Sequence, residues 1–261
     1  MARERYLINA GEDTIHQNEI KLETGRDKRK NWWYYHKIHL LVGVIVVALV
    51  GSFIYSMVSQ VDPDYTVAVL TSYSMPETGL NQLEDCITPY ADDRNGDGQV
   101  VVNVVNYVFS DDASADYAMQ QAAVVRFLAD ATSNEVMIYL HDETAFDALK
   151  ENFAGFFQYT DGTAMPEDAD DFENAMLSWD DVAAFANFKP KTEEGELYTA
   201  DVLSQLYSRL RVSCRAAEGS SIEGKKKDMA YYEASMALFD RLKKGEPYSE
   251  TASSETTSEE G

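Results

Sequence analysis

Basic residues, histidine and cysteine are all scarce in this 261-residue chain, and each scarcity removes a class of function. There are 22 Lys+Arg against 45 Asp+Glu, a formal net charge of −23. A surface that tracks phosphates needs clustered cations to release counterions, so the acid excess argues against a nucleic-acid binder. Of four histidines only His141 follows residue 61. That leaves no multi-histidine zinc site beyond that point and makes His141 the sole candidate base for a Ser-His arrangement. No Gly-x-Ser-x-Gly elbow, P-loop or Gly-x-Gly-x-x-Gly run occurs, and the expectation is a protein that is not an enzyme. Two cysteines are far from a disulfide framework. Cys86 and Cys214 can pair, closing a long loop, or Cys86 beside Ile87 can be a small buried apolar residue.

The charge is also unevenly placed. Residues 1–37 carry eight Lys/Arg and six Asp/Glu, residues 38–61 carry none, and residues 62–261 hold fourteen bases against thirty-nine acids, a net of −25. Within the uncharged stretch, Leu40 to Val58 reads LLVGVIVVALVGSFIYSMV. Nineteen such residues at ~1.5 Å each cross a hydrocarbon core of ~30 Å. The 37-residue leader and the lack of a small-x-small cleavage site favour an uncleaved signal anchor over a signal peptide. Lys21, Arg26, Lys28, Arg29, Lys30 and Lys37 precede the span, whereas Asp62 and Asp64 follow it and the next base is Arg94. Basic flanks stay in the cytoplasm, so the expected topology is a single-pass cell-membrane protein, N-terminus inside and large domain outside. Trp32, Trp33, Tyr34 and Tyr35 fit an aromatic belt at the headgroup level. The run Arg26 to Lys30 suits anionic headgroups. Ala48, Ser52 and Ser56 form a small-xxx-small row that would let two spans approach.

Four regions follow: a basic and aromatic cytoplasmic tail (1–37), a transmembrane helix (38–61), an extracellular α/β domain (62–245) and a disordered acidic Ser/Thr tail (246–261). Tyr65–Ser72, Gln99–Phe109 and Glu135–Leu140 read as strands from their β-branched and apolar density. Helices are expected after Met75-Pro76-Glu77, over Ser114–Thr132 with Ala118, Ala122, Val125 and Ala129 on one face, and over Asp142–Phe157. Strand and helix alternating in this way imply a small, mostly parallel βαβαβ domain. Tyr159–Pro190 is irregular, with a short helix near Trp179–Phe188. Val202–Val212 reads as an edge strand or a helix, and the alternation of Leu206, Ser208, Leu210 and Val212 favours strand. A C-terminal helix over Asp228–Lys244 stops at Gly245.

The order of these elements, with Met75-Pro76-Glu77 after the first strand, Phe127 to Ala131 ending the second helix, and Val136 to Leu140 followed by His141-Asp142, resembles the first lobe of bacterial extracellular solute-binding proteins of the type II periplasmic class. The resemblance covers Tyr65 to Phe157. It implies a membrane-anchored, non-catalytic binding module that holds a small ligand at the strand ends. About one hundred residues remain where that family has a second lobe, so this chain would be a reduced, single-lobe relative. The alternative is an envelope-associated structural or assembly protein that acts through protein contacts, without a small ligand.

Strand ends are where open α/β sheets bind ligands. Thr71, Ser72 and Tyr73 after strand one, with His141 and Asp142 after strand three, are the candidate ligand contacts; Asp142 alternatively caps the following helix. Asp93, Asn95, Asp97 and Gln99 match the early positions of a calcium loop, where alternate residues of a tight turn converge hard oxygens on one ion. The match fails at the twelfth position, where Val104 stands instead of a bidentate Glu. A structural calcium or an ordinary Asx/Gly turn would each account for it. The acid clusters Asp111-Asp112, Asp168 to Asp171 and Asp180-Asp181 are suited to attract cationic ligands or ions, with solvated surface the favoured reading.

Overall fold

The computed structural model describes residues 24–58, 62–109, 117–192 and 198–249, with side chains omitted at 54–58 and 117–120. The tail before residue 24, Asp111-Asp112, the expected helix start at Ser114, the Ser56 side chain and the tail from residue 250 lie outside these. The chain divides into two units, Met1–Val61 and Asp62–Gly261.

The first unit is one helix, α1 (Gly25–Val58). Its stretch Gly25–Phe53 is long and apolar enough to cross a membrane, a property shared by anchors and signal sequences. The helix starts thirteen residues before the expected span. Thr24 explains the early start: its hydroxyl accepts from the Asp27 N–H at 3.3 Å and donates to the Asp27 carboxylate at 2.6 Å, an N-terminal cap followed by good helix formers. Ala48 and Ser52 are exposed along it.

The second unit is mixed α/β. Its elements run β1 (Tyr65–Thr71), α2 (Glu77–Ile87), β2 (Val102–Val108), α3 (Tyr117–Thr132), β3 (Val136–His141), α4 (Glu143–Leu149), β4 (Leu177–Ser178), α5 (Ala183–Ala186), α6 (Ala200–Tyr207), β5 (Arg211–Cys214) and α7 (Lys226–Lys244), with short 3-10 turns between. The sheet order is β2-β1-β3-β5-β4. β1 pairs parallel with β2 and β3, while β5 pairs antiparallel with β3 and β4, so only β5 runs against the rest.

Alternation along β1 divides the core. Val67 and Val69 face a layer with Leu83 and Ile87 of α2, Phe185 of α5, Leu203 and Tyr207 of α6, and Leu238 and Leu242 of α7. Ala68 and Leu70 face a layer with Phe127 of α3, Phe146 of α4, and Phe153, Phe157 and Phe172. In β3 the alternation breaks: Val136 and Tyr139 share the second layer although three residues apart. A register shift between Thr66 and Val67 inserts Met137 as the extra residue, which reverses the facing of what precedes it. The edge strand β2 is covered at one point by Glu84, whose carboxylate accepts from the Val104 N–H at 2.9 Å.

Several expectations are corrected. The segment read as an edge strand over Val202–Val212 is helix α6 followed by β5, which lies inside the sheet between β3 and β4. Thr199 caps α6 by accepting from Val202 N, and the i,i+4 pair Leu203 and Tyr207 is fully buried, a helical period that outweighs the local alternation. The Tyr207 hydroxyl donates to Gly79 O at 2.8 Å, and a Cβ at Gly79 would stand 3.1 Å from that oxygen, so α2 and α6 meet at the glycine. The helix expected over Asp142–Phe157 ends at Leu149 and passes into a 3-10 turn, Lys150–Asn152. On α3 the buried face is Phe127 and Ala131, and Ala122, Val125 and Ala129 are exposed. One phenylalanine packed edge-on against Tyr107, Phe109, Tyr139 and Phe153 buries more apolar area than a row of alanines. α7 stops at Gly245, whose φ of 71° is left-handed. Beyond it the chain stays docked: Tyr248 N donates to Pro89 O at 3.0 Å, so the ordered domain extends past the expected boundary at 245.

Candidate functional site

In a sheet ordered 2-1-3, the connections leaving β1 and β3 at their carboxyl ends go to opposite faces, into α2 and α4, and the crevice between them is left open. A cavity of about 700 Å³ lies there, lined in part by Ser72, Tyr73, His141 and Asp142. The structure thus brings together four of the five expected ligand contacts. Thr71 is beneath them, fully buried, its hydroxyl donating to Tyr73 O at 2.6 Å and accepting from Asn106 Nδ2 at 2.7 Å.

Asp142 laces the rim. Its Oδ2 accepts from Ser72 N at 2.7 Å and Ser72 Oγ at 2.9 Å, and its Oδ1 accepts from Ala145 N at 2.7 Å as the N-cap of α4. With both oxygens engaged and 6% exposed, Asp142 holds the end of β1 against the start of α4. Tyr73 donates its hydroxyl to Leu206 O at 3.3 Å. Burial, then the neighbouring Asp142 charge, pushes Tyr73 up to about 12, so it remains a neutral donor.

His141 forms the floor, 1% exposed. Its Nε2 is 2.9 Å from Ser213 Oγ on β5, while Nδ1 has no hydrogen-bond partner among the described residues. Ser213 is itself 1% exposed, and no carboxylate orients Nδ1, so the pair is a buried link between β3 and β5. Burial, then the Arg211 charge, lowers His141 from its ordinary 6.5 to about 3.

The sign of the resulting pH dependence follows. Below pH 6.5 the unfolded chain takes up a proton that the folded chain refuses until about pH 3. Stability fully present above pH 6.5 is therefore lost as pH falls, by about 2–3 kcal/mol between pH 6.5 and 4.5. Denaturant titrations of the full chain at several pH values should show the wild type losing that much more than His141→Gln. Superimposable pH profiles would contradict the buried neutral imidazole.

The remaining lining residues carry most of the charge; apart from Glu143 beside Asp142 and Asp170 in the acid cluster Asp168 to Asp171, sequence did not single them out. Glu143, Asp147 and Lys150 come from α4 and the turn after it, Asp170 and Glu173 from the 170s loop, and Arg209 and Arg211 from the approach to β5. The signal for the arginines lay in Arg209-Leu210-Arg211, where fully buried Leu210 is flanked by two exposed cations, once α6 is allowed to end before it.

The calcium-like turn lies elsewhere, entering β2. Asp93 accepts from Gly96 N at 2.7 Å and Gly98 N at 2.8 Å, Asn95 Oδ1 from Asp97 N at 2.9 Å, and Asp97 Oδ1 from Gln99 N at 2.8 Å. Gly96 and Gly98 have φ of 77° and 84°. These oxygens are satisfied by the turn's own backbone, and the conformation needs no ion. Among the described residues no group of three or more His, Cys, Asp or Glu side chains is arranged to hold a metal. Cys86 and Cys214 are free thiols.

No protein-family model matches the chain, and no curated protein and no solved structure matches it. The chemistry of the cavity therefore rests on its own residues.

Proposed function

We propose that the chain is a single-pass membrane protein, N-terminus cytoplasmic, whose outer α/β unit is a non-catalytic binding module, a one-lobe counterpart of solute-binding proteins, holding a small ligand at the carboxyl ends of β1 and β3. The observation that carries this reading is the cavity of about 700 Å³ at the point where the strand order reverses. Its volume falls within the roughly 300–1,000 Å³ of small-molecule sites. The sidedness rests on the bases before residue 38 and the acids after residue 61. Among the described residues His141 Nδ1 has no acidic partner, and this with its depressed proton affinity supports a binding role over general-base chemistry.

Native mass spectrometry of the full chain, released gently from detergent micelles, tests the reading. A retained small molecule is expected, and Ser208→Trp, which fills the cavity from an exposed rim position, should reduce its occupancy at least tenfold. Identical spectra for wild type and variant, with no bound mass in either, would defeat it.

The exposed apolar residues Ala122, Val125, Leu128 and Ala129 on α3 support a second reading, an assembly protein that meets a partner through that helix. Under it, Val125→Glu abolishes crosslinking to envelope proteins and leaves the cavity's occupancy unchanged.

A further inference from the structure

The basic residues of α1 are not spread round the helix. Arg26, Arg29, Lys30 and Lys37 stand at i, i+3, i+4 and i+11, and Trp33 at i+7 completes one stripe, about 100° wide at roughly 100° per residue. All five are exposed. Lys28 alone among the cations of α1 lies on the far side. The one acid of the helix, Asp27, falls outside the stripe and is taken up by the cap, accepting from the Thr24 hydroxyl at 2.6 Å. Among the rings that follow, Trp32 stacks on His36 with centroids 4.9 Å apart, and Tyr34 meets Tyr35 edge-on at 5.4 Å. The Lys37 ammonium lies over Tyr34, 5.2 Å from the centroid. Trp33, 57% exposed, pairs with no ring among the described residues.

The helix runs unbroken from this stripe into the apolar stretch. Arg26 is twelve residues before Ile38, about 18 Å along the axis, and Arg29 and Lys30 are about 12–14 Å out. In an upright helix all three stand beyond a headgroup layer of roughly 5–8 Å. Leaning toward the stripe lowers these cations together, whereas leaning the other way lifts them off, and spanning helices tilt by about 20° on average.

We propose that this stripe docks on the headgroups of anionic phospholipids beside its end of the span, and that the docking sets the direction in which α1 leans. The proposal rests on α1 crossing a membrane and names what its leading end meets there. A topology signal needs only a count of bases on one side and is indifferent to their angular position. A headgroup layer is a surface, and only cations that share a face reach it at once. The two guanidinium groups can each take a pair of phosphate oxygens, Lys37 sits at the edge of the hydrocarbon, and Trp33 lies between them at the depth amphipathic rings favour.

The full chain in nanodiscs of phosphatidylcholine with a minority of phosphatidylglycerol tests this, the lipids it carries on gentle release being counted by native mass spectrometry. Phosphatidylglycerol should be enriched at least threefold over its share of the disc. Arg29→Gln/Lys30→Gln should bring it back close to that share, while Lys28→Gln leaves most of the enrichment in place. Lys30→Asn/Asn31→Lys keeps the net charge and turns one cation off the stripe, and should lose at least half of the enrichment. Inorganic phosphate at matched ionic strength should displace none of it. The inference is overturned if the wild type carries lipid in the disc's own ratio, or if Lys28→Gln costs as much as Arg29→Gln/Lys30→Gln. It is also overturned if Lys30→Asn/Asn31→Lys changes nothing, which makes the bases a matter of count alone, or if phosphate displaces the lipid, which makes the stripe a site for the free ion. In each of these cases the span still stands. A chain that stays soluble without detergent and does not enter the discs removes the span and the docking together.

Discussion

Asp64→Ala should lower the stability of the second unit by about 3–5 kcal/mol, because three backbone donors lose their acceptor at once. Asp64 is fully buried. Its Oδ1 accepts from Arg94 N at 2.9 Å and Asn95 N at 3.0 Å, and its Oδ2 accepts from Val101 N at 2.9 Å. Its backbone is held as well, Asp64 N donating to Val101 O at 2.8 Å and its carbonyl accepting from Arg94 Nε at 2.9 Å. One carboxylate thus pins both ends of the acidic turn to the start of β1. An unsatisfied buried donor costs about 1–3 kcal/mol, and the figure for three is set below their sum because Arg94 and Asn95 lie at an exposed loop that water can reach. Asp64→Asn keeps one acceptor and the volume, and should cost about half as much. Urea titration of both variants measures this, and a loss below ~1 kcal/mol for Asp64→Ala would contradict the pinning role.

Phe157→Ala is the second large effect, expected at about 3–5 kcal/mol. The ring is fully buried, with centroids 4.8 Å from Phe153, 5.1 Å from Phe156, 5.6 Å from Tyr139 and 6.2 Å from Phe146. These neighbours are themselves fixed by other rings, so the layer cannot collapse into the vacancy, and the loss includes the cavity left behind. The ring also lies 6.3 Å from His141, so removing it leaves a void beneath the floor of the site. Phe157→Leu should recover more than half of the stability. Equal midpoints for Phe157→Ala and the wild type in guanidinium would show that the aromatic layer does not support the sheet.

The parts of this architecture that announce themselves in the sequence are those fixed locally. β1 and β3 are dense in β-branched or apolar residues because they are buried strands, β2 because it is a half-buried edge strand, and α7 carries its stop signal in Gly245. Ser72, Tyr73, His141 and Asp142 could be grouped because strand ends are legible and a parallel sheet aligns them. What was not legible depends on distant partners. The helical period of Leu203 and Tyr207 competes with an alternation that extends into β5, and only packing against α2 decides it. Arg209 and Arg211 reach the cavity because β5 enters the sheet antiparallel beside β3, a pairing that spans some seventy residues and leaves no local mark. The buried role of Asp64 is equally non-local, since its partners lie thirty to thirty-seven residues away.

The two thiols give the molecule a chemical quietness that its composition alone does not reveal. Cys86 donates to Ala184 O at 3.8 Å, and burial pushes its thiol up to about 12; Cys214, wholly buried, is raised further still by the same cause. Exchange with disulfides proceeds through the thiolate, which for Cys86 is roughly one molecule in ten thousand or fewer near neutral pH. The folded unit therefore ages slowly in oxidising surroundings without a reductant. A cysteine introduced at an exposed position, such as Ser208 on the cavity rim, would react with maleimides long before either native thiol and would give a single-site spectroscopic handle on the crevice.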